Sequence, residues 1–382
     1  MQFLAWDHHI EGLDQVSGFR GQEERSDAKQ ALLYLRSVLG DDFLRRASAG
    51  DSCVGRHPLL RTLANFAASS RRKIMRFAEQ LKTLEGSENF ANVLARLHDA
   101  TQFDHDALLV KAASRLVREG LRARFEPTAE VKNKQKQADL RLENPLTGET
   151  IFLEVSIQAI SKAERAVTDV SSAVFAAVFS RSYDLCVSGR WHKTPTEQRL
   201  AQILEKIDHG SATVLSERKL VTVQEEGILE MALCHRNDKA RLLDAWCAEK
   251  GLSGGGFMGP VMNSNDTVRI KRKIRNEQWQ LSDDCANVLL IQATDAFFRA
   301  GGVSRVAHEV EERLVRHENV NLVIVHGEYV GSQEAPFSTQ IGKHRYRRNV
   351  IDGETEVDLL LLNRHSRRKF SPDLLASFWR SF

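Results

Sequence analysis

No stretch of this 382-residue chain holds eighteen apolar residues in a row, so the sequence offers no membrane span. Its N-terminus, MQFLAWDHHIEGLDQ, has neither a basic start nor an apolar core, which argues against a signal peptide. Cysteine is sparse. Cys53, Cys186, Cys234, Cys247 and Cys285 lie far apart, form no CxxC and are odd in number. This excludes a disulfide framework and argues against a zinc site; reduced thiols in a cytoplasmic protein are the expectation. Neither sign of charge dominates, since the net charge is only +3. Bulk charge therefore does not announce a nucleic-acid binder. HExxH and GxSxG are absent, and the glycine-rich GLSGGGFMG at 251–259 lacks the Gly-Lys-Ser/Thr ending of a phosphate loop. It is expected to be a flexible surface loop.

Hydrophobic residues make up 42% and charged residues 27%, the balance of a chain that folds around a core. The first hundred residues carry apolar positions at helical spacing. Leu32, Leu33, Leu35 and Val38 suit one helix, Leu60, Leu63, Ala64, Ala67 and Ala68 a second, and Ile74, Phe77, Ala78, Leu81 and Leu84 a third. His8-His9 is expected on a disordered, exposed end. From about residue 105 helix and strand patterns alternate. NVLLIQ (287–292), NLVIVH (321–326) and VDLLLL (357–362) read as strands covered on both faces, and a helix between the first two favours a parallel connection. The expected fold is α/β, a mixed central sheet flanked by helices. An α-helical N-terminal domain would cover 1–102 and the sheet domain 103–382, with an inserted region around 183–265. Within that insert, Tyr183–Ser188 reads as a short strand and Thr194-Pro195 as the start of an amphipathic helix.

The most informative stretch is KQKQADLRLENPLTGETIFLEVSIQ, residues 134–158. Asp139 stands in one apolar run. A turn at Asn144-Pro145 and Gly148 follows, and Glu154 stands in a second run whose residues alternate as a strand does. Ile151, Leu153, Val155 and Ile157 share one face; Phe152, Glu154, Ser156 and Gln158 share the other. A hairpin would set Asp139 beside Glu154. Adjacent carboxylates repel, and such a pair usually holds a divalent cation.

A helical pattern through Leu108, Leu109, Ala112, Ala113, Leu116 and Val117, ended by Gly120, precedes the strand candidate LRARFEP. The order is then helix, strand, strand with Asp, strand with Glu, helix. In that order and with those residues, 106–180 resembles the core of the PD-(D/E)XK nuclease superfamily, the restriction-endonuclease-like fold. KIRNEQWQLSDDCANVLLI resembles the helix-then-strand that follows the active-site strands in several such families. The resemblance implies a metal-dependent nuclease acting on DNA, or on RNA, in which Asp139, Glu154 and the Val155 carbonyl hold Mg²⁺ or Mn²⁺. The motif lysine, two residues after the glutamate, is replaced here by Ser156. Ser156 or Gln158 would orient the attacking water. The missing positive charge would come from Lys162 or Lys273, with Lys134 and Lys136 as further candidates. Glu119 is a candidate third carboxylate.

Basic runs stand at 269–275 (RIKRKIR), 343–348 (KHRYRR) and 364–369 (RHSRRK). Such clusters could neutralise phosphates, and Lys271, Lys273, Arg275 and Gln280 are the expected nucleic-acid contacts. Trp191 reads as packing, with base stacking the alternative. The other function classes are a catalytically inactive nuclease-like fold that binds nucleic acid or protein, and an interaction protein with incidental carboxylates. No membrane partner is expected, and a homodimer is compatible with the sequence.

Overall fold

The computed structural model describes residues 4–16, 18–48, 57–64, 67–131, 134–158, 162–182, 184–252, 256–259, 266–278, 281–282, 284–293, 303–330, 337–341, 344–351 and 354–382. In chain order, helices α1 (Trp6–Glu11), α2 (Gln22–Leu39), α3 (Phe43–Ala47), α4 (Pro58–Ala64), α5 (Ala68–Thr83), α6 (Phe90–Arg96) and α7 (Phe103–Arg118) come first. Strands β1 (Arg122–Phe125), β2 (Thr128–Val131), β3 (Lys134–Gln137), β4 (Leu140–Glu143) and β5 (Thr150–Ile157) follow. Next are α8 (Lys162–Arg181), β6 (Leu185–Trp191), α9 (Glu197–Glu217), β7 (Val221–Glu225), β8 (Leu229–His235), α10 (Lys239–Glu249) and β9 (Gly256–Met258). The chain ends with α11 (Asp266–Glu277), β10 (Ala286–Gln292), α12 (Val303–Leu314), β11 (Leu322–Val330), β12 (Phe337–Ile341), β13 (His344–Ile351), β14 (Glu354–Leu362) and α13 (Pro372–Ser381). The fold is α/β with mixed sheets, as the alternating pattern predicts.

The chain divides into two units. Met1–Ala47, His57–Ala159 and Ser264–Phe382 form the first; Ser48–Arg56 and Ile160–Asn263 form the second.

An eight-stranded sheet in the order β1-β4-β5-β10-β11-β14-β13-β12 is the centre of the first unit. β1, β4 and β5 run antiparallel; β5, β10 and β11 run parallel; β14, β13 and β12 return antiparallel. The β4–β5 turn is closed by the Asn144 side chain, whose Oδ1 accepts the Leu146 N–H at 3.0 Å, and by Gly148 at φ +70°. α7 buries Leu108, Leu109, Ala112, Ala113 and Leu116, the i, i+4 stripe of an amphipathic helix. It stops at Gly120, whose φ of +90° lets the Leu121 N–H reach back to the Leu116 carbonyl. One sheet face packs on α11 and α12. There Ile270, Ile274, Val310 and Leu314 meet Leu289, Ile291, Val323, Val325, Leu359 and Leu361. By the two-residue strand period, Glu154 and Ser156 belong to that face, since they sit opposite Leu289 and Ile291. The alternate residues face α7.

The second unit holds a four-stranded sheet in the order β7-β8-β6-β9. Val170, Val174 and Val178 of α8 and Ile203, Ile207 and Val214 of α9 pack on its strands around a fully buried Trp191. Trp191 is thus a packing residue, and its indole N–H donates to Ser171. Gly189 is demanded by close strand approach: a Cβ there would lie 2.6 Å from the Glu230 carbonyl oxygen.

Several sequence expectations need correction. Residues 256–258 of the glycine-rich stretch pair with β6 as a strand rather than forming free loop; residues 253–255 lie outside the described residues. The strand expected at Tyr183–Ser188 runs instead from Leu185 to Trp191, where pairing with β8 fixes its ends. The helix cap is Thr196, whose side chain accepts the Arg199 N–H, not Thr194. His9 is fully buried on α1 rather than exposed at a disordered end. The single helix expected over 60–68 is two, α4 and α5. The KHRYRR run lies largely on β13, and Arg345 and Arg347 donate to the Trp379 and Arg380 carbonyls at the end of α13. Those two guanidiniums serve a helix C-terminus.

Candidate functional site

The site starts from strand register. β4 and β5 pair with Leu140 opposite Leu153, so the next position outward sets Asp139 opposite Glu154. The two are locked to each other's backbone. The Asp139 N–H donates to Glu154 Oε2 at 3.3 Å, and the Val155 N–H donates to Asp139 Oδ2 at 2.7 Å. Glu154 is buried. Burial first, then the nearby charges of Asp139 and Glu277, push its carboxyl up to about 9.

Glu277 is a residue the motif reading did not assign. It ends α11, and its Oε1 accepts the Ser156 hydroxyl at 3.0 Å. The same oxygen lies 3.5 Å from the Lys273 ammonium, one turn back on the helix. Serine at the motif-lysine position is thus connected to a lysine through one shared carboxylate oxygen. A signal for Glu277 existed in the sequence. Ile270, Ile274 and Leu281 mark the apolar stripe of α11, and Glu277 falls on that stripe at i+7 from Ile270. A carboxylate on a core-facing stripe needs a partner or a cation.

His105 at the start of α7 was also missed. Its Nε2 lies 3.4 Å from Asp139 Oδ2 and its Nδ1 lies 3.3 Å from Asp106 Oδ1. Burial would lower its pKa, but Asp106 and Asp139 outweigh this and raise it to about 10. Asp106 is fully buried and bridged by Arg96 at 3.0 and 2.9 Å. Nothing local in the sequence marks His105, because its partner lies 34 positions away on another element.

Gln158 is buried just past β5, and its N–H donates to the Gln292 carbonyl at 3.0 Å. Lys162 opens α8 in the second unit, and its side chain lies outside the described residues, as do those of Lys134 and Lys136 and the whole of Gln280. Lys271 pairs with Glu309 at 2.9 Å, while Arg275 is exposed. Glu119, the candidate third carboxylate, pairs with Arg380 at 2.5 Å; Glu277 stands by the pair instead.

Among the described residues, no three His, Cys, Asp or Glu side chains form a ready metal cage. Two crowded carboxylates with only oxygen donors nevertheless suit Mg²⁺, which keeps several waters and takes one or two carboxylates plus substrate phosphate. The upward-pushed Glu154 is the corresponding electrostatic sign: the positive charge of His105 does not offset burial and the two neighbouring carboxylates.

The opposite sheet face carries a second polar cluster, with different electrostatics. His326, fully buried, has Nδ1 2.6 Å from Asp358 Oδ1. Lys111 of α7 contacts Glu356 at 2.6 Å and also pairs with Glu328; Arg115 pairs with Glu356 and lies 3.5 Å from Asp358. Burial pushes Glu356 and Asp358 up, but the surrounding cations outweigh it and hold both below the usual carboxylate range.

Comparison with protein-family models, with curated proteins and with solved structures finds no match. No helix among the described residues is long and apolar enough to cross a membrane.

Proposed function

We propose that this protein is a cytoplasmic, metal-dependent nuclease that hydrolyses phosphodiester bonds in DNA, with RNA the alternative substrate, on a PD-(D/E)XK-like core. The observation that carries the reading is the Asp139–Glu154 pair, opposed across β4 and β5, with Glu154 pushed up to about 9 by burial and then by Asp139 and Glu277. The chain order α7, β1, β4, β5, α8 supports it, being the helix and strand order on which the resemblance rests, although α8 belongs to the second unit; so does the separate helix-then-strand pair α11 and β10, with β10 parallel to β5.

Asp139 and Glu154 would hold Mg²⁺ or Mn²⁺, with the Val155 carbonyl as a third oxygen donor. Bound there, the ion supplies charge that neutralises the scissile phosphate and acidifies water. The chain does the rest. Val155 N–H and His105 fix one oxygen of Asp139, which orients that carboxylate. Ser156 is held by Glu277 and Gln158 lies two residues on; either side chain can orient the attacking water. Lys273, on the same Glu277 oxygen, supplies the positive charge that the motif lysine would give.

Ser156 itself favours a second reading, a nuclease-like fold that binds nucleic acid without cutting it. Purified protein incubated with plasmid and single-stranded DNA and RNA in Mg²⁺, Mn²⁺ or EDTA separates the two. Cleavage that needs metal and is lost in Asp139→Ala upholds the nuclease; intact substrates in both metals, with binding retained, move the conclusion to the second reading.

A further inference from the structure

A cleft of about 250 Å³ opens on the α7 side of the sheet, entirely within the first unit, between α4, α5, α7 and the sheet strands. Its lining carries both signs of charge. α5 contributes Lys73 and Arg76, one helical turn apart. Glu328 and Glu356 contribute carboxylates at the end of the buried ionic cluster, and Gln80 and Gln292 add amides. Two aromatic rings, Phe77 and Phe103, lie with centroids 5.7 Å apart in the same wall. Lys111 engages both, but Glu356 is buried whereas the Glu328 side chain keeps 39% of its surface accessible, so Glu328 is the carboxylate the cleft can use.

That combination fits one chemical class. The two cations suit a phosphate. The rings suit the face of a base, and the carboxylates and amides suit the N–H donors of a base edge. A carboxylate accepts from the exocyclic amino groups of cytosine, adenine or guanine, while uracil and thymine offer only the N3–H, flanked by two carbonyls that it repels. Across the sheet from the carboxylate pair, the cleft is linked to it through neighbours in the chain. Asp104 lines it, and the next residue, His105, touches Asp139; Gln292 lines it too, and its carbonyl takes the Gln158 N–H. Burial pushes the Lys73 ammonium down, against the opposing pull of Glu328 and Glu356.

We infer that this cleft is a single-nucleotide pocket. It takes one nucleoside monophosphate unit whose base carries an amino group, with the phosphate on Lys73 and Arg76, the base against Phe77 and Phe103, and its amino edge on Glu328. The choice of a nucleotide over other anions rests on the nuclease reading. The unit is a free mononucleotide or one nucleotide of a strand, terminal or turned out of the stack.

The test uses the full chain in EDTA, so that binding is read without cleavage. GMP, AMP, CMP, UMP, ribose 5-phosphate and inorganic phosphate are titrated by calorimetry. The amino-bearing nucleotides are expected to bind at least about tenfold more tightly than UMP, and more tightly still than either phosphate alone. Arg76→Ala should weaken all nucleotides about tenfold, and Glu328→Gln, which keeps size and a contact to Lys111, should shrink the gap between amino bases and uracil. Competition of GMP with a short oligonucleotide assigns the pocket to the strand; binding of GMP without competition assigns it to a free nucleotide. No nucleotide binding at millimolar concentration, or binding that phosphate alone reproduces and Arg76→Ala leaves unchanged, overturns the inference. A protein that cuts DNA but binds no nucleotide loses the pocket and keeps the nuclease reading. One that binds nucleotides and never cuts keeps the pocket and loses the nuclease.

Discussion

The two faces of the central sheet solve the same electrostatic problem in opposite ways. Toward α7, Glu328, Glu356 and Asp358 are answered by Lys111, Arg115 and His326, and the carboxylates are held below their ordinary range. Toward α11, Asp139, Glu154 and Glu277 gather; His105 reaches Asp139 and Lys273 reaches Glu277, yet Glu154 is driven up. Burial raises a carboxylate wherever it acts; what differs is the supply of positive charge from the chain. A face that neutralises itself needs nothing from outside. A face that leaves a buried carboxylate beside two others is where the proposed function would place its cation.

The largest expected effect tests the acidic face. Asp139→Ala and Glu154→Ala should each reduce metal-dependent cleavage by on the order of a thousandfold. Glu154→Gln should do the same while leaving thermal stability unchanged or higher, because it removes a buried acid crowded by two others. A drop in stability on Glu154→Gln would mean that the carboxylate is structural and the comparison is mistaken.

The balanced face should respond in the reverse sense. Lys111→Met leaves Glu356 and Glu328 short of their cation in a largely dry site, at a cost of about 3–5 kcal/mol. Urea unfolding of the full chain measures it. A cost of less than about 1 kcal/mol would place Lys111 among ordinary surface pairs and remove the contrast.

Acid should reach the same network. The folded-state pKa values of Glu356 and Asp358 lie below their unfolded values. Their stabilisation is therefore complete above the unfolded values, about 4, and is lost as pH falls through the folded ones. Wild-type stability is expected to fall steeply below about pH 4, and Asp358→Asn should flatten that slope. An unchanged slope in the variant would show that these groups titrate alike in both states.

Which parts were legible in advance follows from how far apart the partners lie. The Asp139–Glu154 hairpin is local, with its turn residues and alternation within 25 positions, and the sequence pattern places it correctly. The β10, β11 and β14 strands are legible because burial on both faces leaves unbroken apolar runs. Even there Asp358 sits inside VDLLLL as a buried charge, and only the fold supplies its partners, 32 positions away at His326 and farther still at Arg115. β13 was hidden for the opposite reason. Its arginines read as a basic surface cluster, yet Arg345 and Arg347 are spent on the carbonyls ending α13. His105 and Glu277 complete the acidic site from helices distant in sequence. Glu277 alone left a trace, as a charge on an apolar stripe.

The smallest expected effect concerns how a polynucleotide would approach the acidic face. The 269–275 helix packs on that face, and its Arg275 is exposed, although Lys271 is shared with Glu309. The 364–369 cluster follows β14, whose last residue pairs with Leu322 at the start of β11. Arg367 is tied there to Glu318 at 2.7 Å. Glu154 and Ser156 are level with Val323 and Val325 of β11, whereas this second cluster leaves the sheet beyond Leu322, at the start of β11 and on the side of Glu154 away from Ser156. Lys271→Ala with Arg275→Ala should therefore weaken nucleic-acid binding more than Arg364→Ala with Arg368→Ala. For every cation that no longer neutralises a phosphate, the slope of log K against log[salt] should fall by about 0.7–0.9. Equal weakening by both double variants, read by gel shift across a salt series in EDTA, would take the 269–275 helix off the binding surface. The carboxylate pair would then have to receive its strand from the α7 side, past the cleft that Lys73 and Arg76 line.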